Sequence, residues 1–281
     1  MTAASRHRVT IEVSATVRSV YDAITSRNTA SLEEMLAPDV QVLTPESDGA
    51  YNGAVATAAY VRSRLVNAGE GPIRLQSTDL RVGTTASGLD AWVSDQILID
   101  VGHPGPPRLR VTALLWRDDS QWRVSSAHWS IPQSNERTRA LVEGGMLPAG
   151  VALSETGGGN GRELVELLDE CLANPARFSE VCSTRADAVA FGSAAEEVFY
   201  GPQVKGAWDE FVGYGPRMVR RGGAAAGVSA SGELGWVGTH IDISFDITKP
   251  YRFYIVYARA KGHWEMVSIH DSVSSISLSG G

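Results

Sequence analysis

Apolar positions recur with a helical period at the start of the chain. Val17, Val20, Tyr21 and Ile24 fall at i, i+3, i+4 and i+7, which is one face of a helix. Residues 9–13 before it predict a short strand or an extended arm. A second short helix follows, and a third is predicted over residues 54–67, directly after Gly53.

The later part of the first half alternates with a strand-like period. Strands are predicted over residues 40–44, 75–82, 91–101, 109–116 and 122–131, with a turn at 102–107. Helices followed by a run of antiparallel strands are typical of an α+β fold. The predicted fold class is therefore α+β.

A polar and glycine-rich stretch then separates two halves. We predict domain 1 over residues 1–138, a linker over 139–160 and domain 2 over 161–281. The glycines at 157–161 lack a preceding strand and a Gly-Lys-Ser/Thr sequence, so they do not fit a phosphate-binding loop.

The second half repeats the first. The spacing from Asp39 to Gly53 equals that from Asp187 to Gly201. The closing hairpins match in four residue types: Arg110, Trp122, His128 and Ser130 in the first half, and Arg252, Trp264, His270 and Ser272 in the second. Duplication of one domain accounts for this pattern.

Each half resembles the SnoaL-like, ketosteroid-isomerase-like superfamily, which includes nuclear transport factor 2. The resemblance rests on the helix–helix–strand–loop–Gly–helix opening and on the closing hairpin with its Trp-x₅-His-x-Ser ending. It implies two cone-shaped domains, each a curved antiparallel sheet wrapped on N-terminal helices around an apolar pocket. It also implies that the two domains pair as an intramolecular pseudo-dimer, and it allows a homodimer.

Composition narrows the classes of partner. The net charge is −7, which argues against a nucleic-acid binder because such proteins need a basic face. A basic patch at Arg217, Arg220 and Arg221 is interpreted as a solvated loop. The two cysteines, Cys171 and Cys182, are expected to be buried free thiols. With no signal-like or membrane-spanning run, a cytoplasmic location is expected.

Candidate catalytic residues come from strands and from the first helix. Strand alternation places Trp122, Val124, Ser126, His128 and Ser130 on one face. The resemblance implies that this face lines the pocket, where a histidine with a pKa near neutrality is a general acid or base. The other reading is a structural hydrogen bond. The candidates for catalysis are His128, Tyr21, His270, His240 and Asp242.

Candidate substrate-binding residues are aromatic or basic side chains on the same strands: Trp92, Arg110, Trp116, Ser130, Trp236, Arg252 and Tyr254. An arginine there binds an acidic substrate group, or else forms an ion pair on the sheet. Neither a metal nor a cofactor is expected, because no metal-ligand spacing such as His-x-x-x-His is present.

One departure from the isomerase pattern stands out. In the resemblance, the general-base aspartate falls where this chain has Thr44 and, in the second copy, Gly192. Neither abstracts a proton from carbon. Tyr21 resembles the oxyanion-donating tyrosine of the isomerases, whereas the second copy has Asp169 there, expected on the solvent face.

Two functions follow from these residues. The first is a cofactor-independent enzyme that acts on a hydrophobic small molecule, such as a natural-product intermediate, by acid/base isomerisation, cyclisation or epoxide opening. The second is a non-catalytic module that binds a ligand or a protein partner. A variant of the first has only one active copy, with copy one as the better candidate because it has Tyr21.

Overall fold

The computed structural model describes residues 1–44, 46, 49–100, 107–118, 121–145 and 161–273. The chain divides into two compact units: unit 1 contains Met1–Thr44 and Gly49–Ile131, and unit 2 contains Pro45–Asp48 and Pro132–Gly281. Helix α4, Asn135–Glu143, overlaps the start of the predicted linker. The rest of that linker from residue 146 to 160, with most of its glycine cluster, lies outside the described residues, as does most of the turn predicted at 102–107.

Unit 1 has three helices and a seven-stranded sheet in the order β2-β1-β7-β6-β5-β3, with β4 also paired to β5. The helices are α1 (Ala3–Thr25), α2 (Thr29–Met35) and α3 (Ala54–Asn67). The strands are β1 (Leu36–Leu43), β2 (Ala50–Asn52), β3 (Arg74–Ser77), β4 (Arg81–Thr84), β5 (Asp90–Asp100), β6 (Arg108–Asp118) and β7 (Gln121–Ser130). The predicted α+β class is confirmed.

Helix α1 corrects the arm or strand predicted at residues 9–13. Val9, Val13, Val17 and Tyr21 are buried at four-residue intervals, so one apolar face continues through the valines. The modest helix propensity of valine costs a few tenths of a kcal/mol per residue, several-fold less than the burial of a valine side chain contributes. Thr2 caps the helix, because its Oγ1 accepts from the Ser5 N–H at 3.1 Å.

Unit 2 contains α4, three further helices and a six-stranded sheet in the order β10-β11-β12-β13-β8-β9. The helices are α5 (Arg162–Ala173), α6 (Ala176–Val181) and α7 (Pro202–Gly213). The strands are β8 (Val189–Phe191), β9 (Val198–Tyr200), β10 (Arg217–Val228), β11 (Leu234–Ser244), β12 (Thr248–Ala260) and β13 (His263–Ser272). The predicted loop containing Arg217, Arg220 and Arg221 is wrong, since all three lie on β10.

The two sheets share one topology. In each, the first strand of the unit's sheet pairs parallel to the last strand, β1 with β7 and β8 with β13, within otherwise antiparallel pairings. Gly53 and Gly201 precede α3 and α7, respectively, with φ values of 90° and 54°. Both lie in the left-handed region, which favours glycine. These shared features support the duplication that the sequence indicates.

A β-bulge interrupts the closing strand of both units at the same place. In unit 1, Leu115 pairs with Val124 but Leu114 pairs with Ser126, so Ser125 is an extra residue. Its Oγ donates to the carbonyl oxygen of Leu114 at 3.2 Å. In unit 2 the corresponding extra residue is Val267, between Met266 and Ser268. An extra residue in a strand exchanges the two faces of everything after it.

The sequence predicts that Trp122 and His128 share one face of the strand. This prediction is wrong, because the bulge at Ser125 lies between them. Before it, Trp122 and Val124 belong to the core against the helices; after it, Ala127 and Trp129 take that side. We call the helix-packed side the inner face of each sheet and the opposite side the outer face. Ser126, His128 and Ser130 therefore lie on the outer face.

The core of unit 2 contains both cysteines. Cys171 and Cys182 are buried free thiols, as predicted. Burial raises the pKa of each thiol to about 12, so both are protonated and weakly nucleophilic near neutral pH.

A glycine–tryptophan cross-strand pair recurs on the outer faces. Gly83 on β4 pairs with Trp92 on β5, and Gly227 on β10 pairs with Trp236 on β11. A Cβ atom on Gly83 would overlap the Trp92 indole, and one on Gly227 would lie 2.8 Å from Nε1 of Trp236. Each glycine is required because the neighbouring ring lies across its backbone.

We expect Gly83→Ala to lower the free energy of unfolding by about 1–3 kcal/mol, the usual cost of overpacking. Urea denaturation of the full chain measures it. The control is Gly71→Ala, where no heavy atom lies within 4 Å of the added Cβ. Equal midpoints for the two variants would contradict the packing argument.

Candidate functional site

Unit 1 contains a cavity of about 270 Å³ between the inner face of its sheet and helices α1, α2 and α3. Its walls are almost entirely aliphatic or aromatic side chains. Among the described lining residues, hydroxyl and charged groups come from Tyr21, Thr57, Tyr60 and Arg64, and none is an aspartate or glutamate. Such a cavity, close to the lower size limit of small-molecule sites, favours a compact hydrophobic ligand.

The Tyr21 side chain lines this cavity, and its hydroxyl bonds to a buried carboxylate. Tyr21 Oη donates to Asp95 Oδ2 at 3.1 Å. The other oxygen of Asp95 accepts from Ser77 Oγ at 3.0 Å and from the Asp79 N–H at 3.3 Å. Helix α1 places the phenol at the cavity wall, and β5 places the fully buried carboxylate behind it.

Burial raises the pKa of both Tyr21 and Asp95. Desolvation raises the pKa of Asp95, although its hydrogen bonds from Ser77 and Tyr21 oppose that rise. Desolvation, followed by the charge of Asp95, raises the pKa of Tyr21 well above its ordinary value. The tyrosine therefore stays protonated near neutral pH, while the carboxyl ionises at a higher pH than an exposed aspartate.

The sequence contains a signal that marks Asp95 as a functional candidate, although Asp95 is not among the predicted site residues. On β5 it shares the inner face with Ala91, Val93 and Ile97, three core side chains. A lone carboxylate within an apolar face is costly unless it is paired, so it marks a functional candidate.

The predicted catalytic histidines lie elsewhere. His128, His240 and His270 are on the outer faces and at most 3% exposed, and none lines a cavity described for either unit. His128 Nδ1 lies 3.1 Å from the carbonyl oxygen of Leu43, a structural hydrogen bond. The expectation that the His-x-Ser face lines the cavity is wrong, because the bulge directs that face away from the helices.

The remaining candidates also lie outside the cavities. Asp242 pairs with Arg221 at 2.6 Å on the outer face. The predicted substrate-binding residues share that face: Trp92, Arg110, Trp116, Ser130, Trp236, Arg252 and Tyr254. Of all the predicted site residues, Tyr21 is the one that lines a described cavity.

Unit 2 has no counterpart of the Tyr21–Asp95 pair among its described residues. Asp95 pairs with Val111 in unit 1, and the equivalent pairing in unit 2 joins Thr239 to Phe253. Asp169, which the sequence repeat aligns with Tyr21, forms an ion pair with Arg220 at 2.8 Å and is half-exposed, as predicted. The acid pair therefore belongs to unit 1.

Comparison with known proteins bears on the first unit. A family model described as a SnoaL-like domain matches residues 13–134. These residues form a SnoaL-like domain. No curated protein matches the chain in sequence.

Several solved structures resemble one half of the chain. A nuclear-transport-factor-2-like protein of unknown function from Pseudomonas putida is 21% identical over 48% of this chain and 92% of its own, with a TM-score of 0.42. A protein with a cystatin-like fold from Caulobacter vibrioides is 15% identical, covering 48% and 98%, with a TM-score of 0.41. A nuclear-transport-factor-2-like protein from Cytophaga hutchinsonii is 18% identical, covering 42% and 94%, with a TM-score of 0.35.

In the SnoaL-like domain, the position that the resemblance gives to the general-base aspartate holds Thr44. Thr44 is fully buried and does not line the cavity. Across the described residues, no group of three or more His, Cys, Asp and Glu side chains gathers in a way that suits a metal ion. In that same part of the chain, no helix has both the length and the apolar character of a membrane span. Asp95 contacts a residue of the cavity lining through its hydrogen bond with Tyr21.

The raised pKa of Asp95 predicts how the free energy of unfolding depends on pH. The folded protein retains the Asp95 proton at pH values where the unfolded chain has lost it, so stability falls as pH rises from about 4 through the folded pKa. Asp95→Asn cannot titrate. We therefore expect the unfolding free energy of wild type minus that of the variant to decrease across this range and then level off.

Urea denaturation in steps from about pH 4 to pH 8 measures this difference, since that range begins near the ordinary aspartate pKa. The matched control is Asp100→Asn, which removes an exposed carboxylate from the end of the same strand. A difference that grows with pH would show that folding favours the ionised form of Asp95, contrary to the prediction.

Proposed function

We propose that the SnoaL-like domain of unit 1 is a cofactor-independent enzyme that moves a proton on a hydrophobic small molecule. The observation that carries the proposal is the 3.1 Å hydrogen bond between Tyr21 Oη and Asp95 Oδ2 at the wall of an otherwise apolar cavity. A tyrosine that joins a buried carboxylate to a ligand cavity suits general acid–base catalysis.

The pair works as a two-member relay. With Asp95 ionised, Tyr21 donates to the carboxylate, and its lone pairs accept a hydrogen bond from a ligand O–H. As the ligand proton passes to Tyr21 Oη, the tyrosine proton passes to Asp95 Oδ2, and no phenolate accumulates. The reverse transfer, from protonated Asp95 through Tyr21 to a ligand oxygen, makes the same pair an acid.

The pKa directions fit this relay. A tyrosine with a strongly raised pKa is a poor base alone, but it transmits a proton if its own proton leaves at the same time. A carboxyl whose pKa is raised by burial is a better proton acceptor than an exposed aspartate. Exclusion of water from the apolar cavity strengthens both hydrogen bonds.

The cavity restricts the substrate class. With aliphatic and aromatic walls and a volume of about 270 Å³, it favours a compact apolar molecule that bears a hydroxyl, carbonyl or epoxide oxygen near Tyr21. A natural-product-type intermediate that undergoes isomerisation, cyclisation or epoxide opening has this character. Thr239 in place of Asp95 supports an assignment of the reaction to unit 1 alone.

The second candidate function is non-catalytic ligand binding. It is favoured by the absence of Asp and Glu from the described cavity lining, because Asp95 reaches the ligand only through Tyr21. Under this alternative the pair is a structural hydrogen bond, and the cavity holds a ligand without changing it. The other non-catalytic function expected from the sequence, binding of a protein partner, has no specific support in the lining of this cavity.

Variants of the relay separate the two functions. The assay incubates the full chain in D₂O with a panel of hydrophobic ketones, epoxides and hydroxylated polyenes, and follows isomers and deuterium uptake by mass spectrometry. For any substrate turned over, Tyr21→Phe and Asp95→Asn should each lower kcat by about 10²- to 10⁴-fold, the usual contribution of a general acid or base.

Tyr257→Phe is the matched control, because Tyr257 is a fully buried tyrosine in the core of unit 2 and lines neither cavity. Its turnover should equal that of the wild type. Panel members that bind without product or deuterium uptake over hours would favour the binding module. Full turnover by Asp95→Asn would exclude the relay.

A further inference from the structure

Unit 2 contains its own cavity of about 370 Å³, in the place equivalent to that of unit 1. The matched hairpins align Tyr251 with Leu109, Phe253 with Val111, and Asp271 with Trp129, and all six residues line the cavity of their unit. The bulge at Val267 directs Asp271 inward, just as the bulge at Ser125 directs Trp129 inward. One location in the fold thus presents two different chemistries.

Aromatic rings form much of the unit 2 cavity. Trp208 meets Phe211 edge to face with centroids 5.2 Å apart, and Phe211 meets Phe245 in the same way at 5.9 Å. Phe245 is half-exposed, so the ring series extends from the core to solvent. The faces of aromatic rings carry partial negative charge and attract cations.

Carboxylates supply full negative charge to the same space. Asp271 lies on the inner face opposite Phe253, and Glu197 and Glu210 also line the cavity, whereas Lys249 is the single lysine or arginine among the described lining residues. Glu197 is held in place, because its Oε2 accepts from the Ala194 N–H at 2.9 Å and its Oε1 accepts from Asn135 Nδ2 at 3.0 Å.

Two carboxylates of this cavity affect the pKa of Tyr251, which also lines it. Burial raises its pKa, and the charges of Asp271 and then Glu197 raise it further. Two carboxylates therefore act on one buried hydroxyl of the cavity wall. The unit 1 cavity differs, because its described lining carries Arg64 and no carboxylate.

We propose that the unit 2 cavity is a binding site for a hydrophobic organic cation, such as a protonated or quaternary amine. Asp271 and Glu197 provide the opposing charge, and the rings of Trp208, Phe211 and Phe253 provide the faces on which the substituents of the cation pack. The site is separate from the relay of unit 1 and stands whether or not that relay is catalytic.

Two probes of one shape test the charge requirement. Benzyltrimethylammonium carries a quaternary nitrogen, and neopentylbenzene has carbon at the same place. In isothermal titration of the full chain at low salt, the cation should bind about tenfold or more tighter than the neutral probe, which is about 1.4 kcal/mol. Equal affinities, or no binding of the cation, would overturn the proposal.

Variants locate the effect in the cavity. Asp271→Asn and Glu197→Gln should each weaken binding of the cation several-fold and leave neopentylbenzene unchanged, whereas Lys249→Gln should strengthen binding of the cation because it removes a repelling charge. The matched control is Glu166→Gln, which removes an exposed carboxylate paired with Arg162 on α5, outside the cavity.

The variants are expected to change the cation affinity in opposite directions, which distinguishes an effect of charge from a failure to fold. Loss of folding weakens binding of both probes, and it cannot produce the strengthening expected for Lys249→Gln. A cation affinity that is unchanged in Lys249→Gln and in Glu197→Gln would overturn the assignment to this cavity. Circular dichroism of each variant identifies those that are folded.

Discussion

One extra residue in the closing strand of each sheet determines which side chains reach the interior of the unit. Successive side chains of a strand point to opposite faces, so the bulges at Ser125 and Val267 exchange the faces of the residues that follow. His128 and His270 point away from the helices as a result. Trp129 and Asp271, their neighbours in sequence, line the cavities instead.

The sequence predicted the architecture well, because hydrophobic period, glycine spacing and a matched hairpin all depend on local order. It did not reveal the bulges, since neither Ser125 nor Val267 is a glycine or proline and the strand pattern continues through both. As a result, the predicted site residues on these strands lie on the outer face, whereas the residues that line the cavities lie on the inner face. The helical period of α1 predicts that Tyr21 faces inward, and the family resemblance implies its role, whereas the role of Asp95 depends on a contact 74 residues away in sequence.

The two units retained one scaffold and diverged inside it. The outer faces keep the same arginine, histidine and serine at matched positions, all of them buried. The inner faces differ at Asp95 against Thr239 and at Trp129 against Asp271. A single substitution in a cavity wall can change which ligand the cavity binds. Replacement of a buried polar residue leaves its hydrogen-bond partners unpaired, which is costly.

The glycine–tryptophan pairs limit the order in which this fold accepts change. Because the Trp92 indole lies where a side chain on Gly83 would stand, a larger residue at 83 is accommodated without overpacking only after a smaller residue replaces Trp92. The reverse order passes through an overpacked intermediate. The same dependence holds for Gly227 and Trp236, so in each pair a smaller residue at the tryptophan position opens the space that a side chain at the glycine position needs.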